Sequence, residues 1–122
     1  MVKRIMVVDD EPDTCKLLER LLETKGFEVI TASSGAECLT KLQNEKVDLL
    51  LIDFFMPRMS GRELLEEIRK DRKLKNQKAA FITAATFGEA GMKKLRELKA
   101  LDYIQKPFDN DDLVTRIKQM IK

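Results

Sequence analysis

The chain has 122 residues, 43% hydrophobic and 36% charged, with 23 basic and 21 acidic side chains and a formal net charge of +2. That length suits one domain, residues 1–122, with a real core and little room for a second. The charge balance excludes the basic excess of a direct nucleic-acid binder. No apolar stretch approaches the ~20 residues that cross a bilayer, so neither nucleic acid nor membrane is an expected partner.

Ile5–Val8 reads as a first strand that runs into Asp9, Asp10 and Glu11. Aspartates follow directly, without a small-residue cleavage site, so the run is not a signal peptide and a cytoplasmic location is expected. Pro12 suits the first turn of a helix striped by Leu17, Leu18, Leu21 and Leu22, and Gly26 suits its stop. Phe27–Thr31 is a second strand. Ser34 and Glu37 have capping-box spacing before the stripe Cys38, Leu39 and Leu42. Cys15 and Cys38 lack metal-ligand spacing in a chain without histidine, and read as small core hydrophobes.

Val47–Ile52 forms a third strand that ends at Asp53. Ser60 and Glu63 open a helix carrying Leu64, Leu65 and Ile68. The basic stretch Arg69–Lys78 reads as its exposed end and following loop, since no recognition helix accompanies the charge. Ala79–Thr83 is a fourth strand. Thr86 and Glu89 have the same box spacing before Met92, Leu95 and Leu98. Leu101–Ile104 is the fifth strand, followed by Lys106 and Pro107, and Leu113, Val114, Ile117, Met120 and Ile121 stripe the last helix.

Five strand–helix units in series predict an α/β, (βα)5 doubly wound fold: a five-stranded parallel sheet flanked by five helices. Ligand sites in such sheets lie beyond the carboxyl ends of the strands. Asp9, Asp10, Asp53, Thr83 and Lys106 all fall there. Clustered carboxylates repel unless a cation intervenes, and a hard ion such as Mg²⁺ answers to oxygen ligands. With a lysine and a hydroxyl alongside, the set suits phosphoryl transfer onto Asp53. Each residue alone has a plainer reading. Acids favour a helix N-terminus, Asp53 serves equally as a turn residue, Thr83 as a strand residue and Lys106 as a solvated lysine. It is their coincidence at four strand ends that favours a site.

The segments VVDDEP (Val7–Pro12), LLIDFFMPRMSG (Leu50–Gly61), FITA (Phe81–Ala84) and DYIQKPF (Asp102–Phe108) carry a resemblance that covers essentially the whole chain. It resembles the receiver domain of bacterial and archaeal response regulators, chemotaxis-regulator-like, of two-component signal transduction systems. The resemblance implies the flavodoxin-like strand order 2-1-3-4-5 and a phosphorylation-dependent switch rather than an enzyme, one that catalyses only its own phosphorylation and dephosphorylation. It implies Asp53 as phosphoacceptor from a sensor histidine kinase or phosphotransfer protein. Mg²⁺ would be held by Asp10, Asp53 and the Phe55 backbone carbonyl, with Asp9 acting through water. Thr83 and Lys106 would grip the phosphoryl group, Lys106–Pro107 would be cis, and Tyr103 would be the switch aromatic. For Tyr103 the plain alternative is an aromatic packed at the sheet edge.

Three positions depart from the family's habit. Phe55 and Ala85, two residues beyond Asp53 and Thr83, are apolar where the family often carries polar side chains that tune hydrolysis. They are expected to shield the acyl phosphate from water. Lys99 stands where glycine is usual, so the fourth helix is expected to end differently from the left-handed stop. Downstream, the switch is expected to act on a protein target or output domain through the face of the fourth helix, fifth strand and fifth helix. Lys93, Lys94, Arg96 and Lys99 could pair there with Asp109, Asp111 and Asp112 across a homodimer, although solvated faces fit those charges equally. The competing readings are a receiver-like interaction module that takes no phosphate, an aspartyl phosphatase and a flavin carrier. The phosphatase needs an aspartate at the position of Phe55, and Asp9–Asp10–Glu11 would repel a flavin phosphate.

Overall fold

The computed structural model describes residues 2–84 and 86–122. Five strands and five helices alternate: β1 (Arg4–Val8), α1 (Pro12–Thr24), β2 (Glu28–Ala32), α2 (Gly35–Leu42), β3 (Leu49–Asp53), α3 (Gly61–Lys70), β4 (Ala79–Thr83), α4 (Glu89–Glu97), β5 (Tyr103–Gln105) and α5 (Asn110–Met120). All strand pairs are parallel, in the order β2-β1-β3-β4-β5. This is the doubly wound, flavodoxin-like sheet expected from the sequence.

Strand periodicity divides the core in two. Ile5, Val7, Leu49, Leu51, Ala80 and Ile82 face α1 and α5, packing on Leu18, Leu22, Leu113 and Ile117. Met6, Val8, Leu50, Ile52, Ala79 and Phe81 face α2, α3 and α4, packing on Cys38, Leu64, Leu65, Ile68 and Leu95. Fully burying each large aliphatic side chain contributes about 1.5–3 kcal/mol, which explains why three central strands are apolar on both faces. Cys15 and Cys38 are buried free thiols. Among the described residues no helix is long and apolar enough to cross a membrane.

Local chemistry sets most helix starts. Pro12 occupies the first turn of α1. Ser60 and Glu63 form the reciprocal capping box of α3. At α2, Ser34 accepts from the Glu37 N–H, but the Glu37 carboxylate takes the Ser33 N–H and hydroxyl instead. Asp109 caps α5 through the Asp112 N–H. The Thr86–Glu89 box does not form. Gly88 is the N-cap of α4, because Phe87 is drawn onto the aromatic rings of Phe54 and Tyr103 before the helix begins.

Three other expectations are corrected. Leu17, placed in the apolar stripe of α1, is 57% exposed. Leu101 lies before β5 rather than within it, with its N–H bonded to the Ala79 carbonyl and its side chain outside. The fourth helix does end in a left-handed stop, with Lys99 itself at φ 59°. The Ala100 and Lys99 N–H groups bond the Leu95 and Arg96 carbonyls, the paired pattern of a Schellman motif. Arg69 from α3 then donates to the carbonyls of Leu98 (2.7 Å) and Lys99 (3.3 Å). These tertiary bonds offset the about 1–2 kcal/mol that the conformation costs a lysine.

Candidate functional site

The carboxyl ends of β1, β3, β4 and β5 converge on one side of the sheet. β1 ends at Val8, so Asp9 and Asp10 follow where the strand leaves the core. Asp53 is the last residue of β3 and Thr83 the last of β4. The Lys106 N–H donates to the Thr83 carbonyl at 2.7 Å, which extends the β4–β5 pairing and brings the lysine over the site. Lys106–Pro107 is a cis peptide.

Carboxylate oxygens of Asp9, Asp10 and Asp53 lie within 4.8 Å of one another. Asp9 is buried and fixed: its Oδ1 accepts the Glu11 N–H at 2.9 Å, and its Oδ2 lies 3.2 Å from Lys106 Nζ. Asp53 is only 6% exposed. Its Oδ1 lies 3.9 Å from Lys106 Nζ and 3.4 Å from the Phe55 N–H nitrogen. Asp10 is more open to solvent. Lys106 therefore bridges the buried aspartate and the one at the strand end, a charge pairing that buried carboxylates need.

Burial pushes the Asp53 carboxyl up from 3.8 to about 6. Repulsion from Asp9 adds to the rise, and the Lys106 charge and Phe55 N–H oppose it. A carboxylate held under such tension is ionised near neutral pH, yet gains strongly from any added positive charge. Thr83 is fully buried at the same edge. Phe55, by contrast, is 57% exposed, its ring meeting Phe54 edge-on. Ala85 lies outside the described residues. Tyr103 is half-buried at the start of β5, with its ring 5.2 Å from that of Phe87. The structure thus brings Asp9, Asp10, Asp53 and Lys106 together, sets Thr83 at the same end of the sheet, and leaves Tyr103 on the neighbouring face.

Two contributors escaped the sequence reading. Gly61 starts α3 directly against the backbone after Asp53, donating its N–H to the Phe54 carbonyl at 2.9 Å. A Cβ there would collide with the Asp53 carbonyl oxygen and lie 2.9 Å from Phe54 Cα. Its place in the motif Leu50–Gly61 was the available signal, but only tertiary contact explains the need. Phe54 is the second, half-buried against Phe81 and Phe87.

Residues 5–118 match the family described as the response regulator receiver domain. Curated relatives include the transcriptional regulatory protein CpxR homolog of Haemophilus influenzae, 40% identical over 99% of this chain and 51% of that protein. The alkaline phosphatase synthesis transcriptional regulatory protein PhoP of Bacillus subtilis is 38% identical over 100% of this chain and 50% of its own length. The chain thus spans about half the length of these relatives. Among solved structures, chemotaxis protein CheY4 of Vibrio cholerae aligns with TM-score 0.91 at 25% identity, covering 98% and 99% of the two chains. Response regulator TrrA of Thermotoga maritima, in complex with Mg²⁺-BeF, aligns with TM-score 0.83 at 37% identity, again over 98% and 99%.

Proposed function

This chain belongs to the response regulator receiver family, and from that premise we propose that it is a phosphorylation-dependent switch of a two-component system that carries its phosphoryl group on Asp53. The observation that carries the reading is the Lys106 ammonium, 3.2 Å from Asp9 and 3.9 Å from Asp53. It lies beside three carboxylates from the ends of two strands.

In the transfer, an Asp53 carboxylate oxygen attacks the phosphorus of a phosphohistidine on a sensor kinase or phosphotransfer protein. The new P–O bond forms as the P–N bond breaks. The imidazole leaves with the electron pair and takes up a proton. Asp53, with its pKa near 6, is ionised for this attack at neutral pH. Lys106 supplies compact positive charge to a phosphoryl oxygen, and Thr83 supplies a hydroxyl donor. The chain acts on no separate substrate. It catalyses only its own phosphorylation and dephosphorylation.

The donor set fits Mg²⁺: hard oxygens, excess negative charge and one carboxylate pushed up by burial and then by repulsion from Asp9. Asp10, Asp53 and the Phe55 backbone carbonyl would hold the ion, and Asp9, already engaged by Lys106 and the Glu11 N–H, would act through water. When bound, the ion supplies charge neutralisation at the phosphoryl oxygens. The Mg²⁺-BeF complex of TrrA supports this choice of metal.

The phosphoryl group adds a charge of about −1.5 to −2, which draws on Thr83 and Lys106 and shifts an equilibrium already present between two arrangements. Tyr103 then reports the shift to the face of α4, β5 and α5, toward a protein target, an output domain or a second copy of the chain. Phe55, exposed at the rim, slows hydrolysis by offering no polar group to orient an attacking water, and Ala85 is assigned the same part. In Phe55→Asn, loss of phosphate is expected to quicken when timed by mass; unchanged or slower loss removes Phe55 from this role. For the function itself, incubation with Mg²⁺ and acetyl phosphate should add one phosphoryl mass to the wild type and none to Asp53→Asn. No gain by folded protein would leave a receiver-like module that works by protein contacts alone.

A further inference from the structure

Between the loop after Asp53 and the face of α4, β5 and α5 lies a contact that Thr83 and Tyr103 do not supply. Phe54 follows Asp53 directly. Its N–H donates to the Ile82 carbonyl of β4 at 3.3 Å, and its carbonyl accepts from Gly61 of α3. Its backbone is thus tied to both elements that flank Asp53. Its ring meets Phe87 edge-on at 4.7 Å, and Phe87 meets Tyr103 at 5.2 Å. Phe87 also sits on the first turn of α4. A Cβ on Gly91 would lie 3.1 Å from Phe87 Cβ and 3.3 Å from Cδ1, so the glycine leaves room for the ring.

Among the described residues, no side chain caps the start of α4. α2, α3 and α5 each have a capping side chain, and α1 has Pro12. α4 has Gly88 at the N-cap with no side-chain hydrogen bond, and Gly91 within its first turn. Glycine at such positions favours the unfolded turn. The Phe54–Phe87 pair is edge-on and the Phe87–Tyr103 pair tilted, and edge-on aromatic pairs stabilise beyond their buried area.

We propose that the Phe54–Phe87–Tyr103 stack fixes where α4 begins and forms a second route, beside Thr83, by which a change at Asp53 reaches the α4–β5–α5 face. Displacement of the loop after Asp53 moves Phe54, Phe54 moves Phe87, and Phe87 resets both the first turn of α4 and the Tyr103 ring. Phe54 and Phe87 are positioning residues; neither touches the phosphoryl group. The inference rests on the phosphorylation reading for its trigger, but the stack itself is present without it.

The chain has one tyrosine and no tryptophan, so intrinsic fluorescence and its quenching by acrylamide report Tyr103 alone. The full chain would be measured with and without Mg²⁺ and acetyl phosphate, with phosphorylation followed by mass and folding by circular dichroism. Phe87→Leu and Gly91→Ala are expected to gain phosphoryl mass as the wild type does, while the change in Tyr103 quenching on phosphorylation shrinks about two-fold or more. An undiminished Tyr103 response in both folded variants overturns the proposal. Gly91→Ala decides the matter if Phe87→Leu fails to fold, since it only crowds the ring. If the wild type gains no phosphoryl mass, the switch reading fails and the unphosphorylated proteins test the stack alone. Phe54→Leu should then shift Tyr103 quenching through Phe87, and an unshifted value overturns the stack.

Discussion

Replacing Asp53 by asparagine keeps the side chain's size and removes its charge. Folded Asp53 titrates near 6 instead of 3.8, first because burial strips water from the carboxylate and then because Asp9 repels it. At about 1.4 kcal/mol per pH unit, ionised Asp53 costs the fold about 3 kcal/mol. Proton counts give the sign. Between pH 3.8 and about 6 the folded protein keeps a proton that the unfolded chain has released, so wild-type stability falls as pH rises through that window. Above it the full cost is present. Asp53→Asn is expected to be more stable than wild type by about 2–3 kcal/mol near neutral pH, a rise in Tm of about 10 °C for a chain of this size. Near pH 4 the difference should drop to about 0.5 kcal/mol. Thermal and urea unfolding in EDTA across this range would measure it. Added Mg²⁺ should narrow the gap, because binding favours the wild type. A variant no more stable than wild type at neutral pH, or a gap that grows on acidification, would refute the reasoning.

The other expectations follow from single contacts. Gly61→Ala pushes a Cβ into the Asp53 carbonyl and should cost about 1–3 kcal/mol by overpacking, read as a lower urea midpoint with an unchanged slope. Lys99→Gly relieves a left-handed lysine but frees the unfolded chain, for a net gain of about 0.5–1 kcal/mol measurable by thermal unfolding. Lys106→Met removes the charge that lowers the Asp53 pKa, so the pH midpoint for phosphoryl uptake should move above about 6. An unmoved midpoint in a folded Lys106→Met would show that Lys106 does not act on Asp53 through charge.

Much of this was legible in the sequence, for physical reasons. β1, β3 and β4 are buried on both faces, so their apolar runs are continuous and their charged ends stand out. Because each strand ends where the site begins, the same contrast marked Asp9, Asp10, Asp53, Thr83 and Lys106. The edge of the sheet was harder to read. Leu101 is apolar but points outward before β5, so composition drew the strand two residues early. Thr86 has the chemistry of a cap, yet aromatic packing of Phe87 displaced the helix start. Lys99 takes glycine's conformation because Arg69, 30 residues away, holds its carbonyl. Phe54 and Gly61 matter through contacts between elements, and no local pattern encodes those.

The central claim is that Asp53, among three adjacent carboxylates, carries the phosphoryl group. Borohydride reduces an acyl phosphate to an alcohol, leaving homoserine at the modified aspartate. After treatment with Mg²⁺ and acetyl phosphate, reduction and peptide mass mapping, homoserine is expected at position 53 and nowhere else. Homoserine at Asp9 or Asp10, or none in folded protein that has gained phosphoryl mass, would contradict the account.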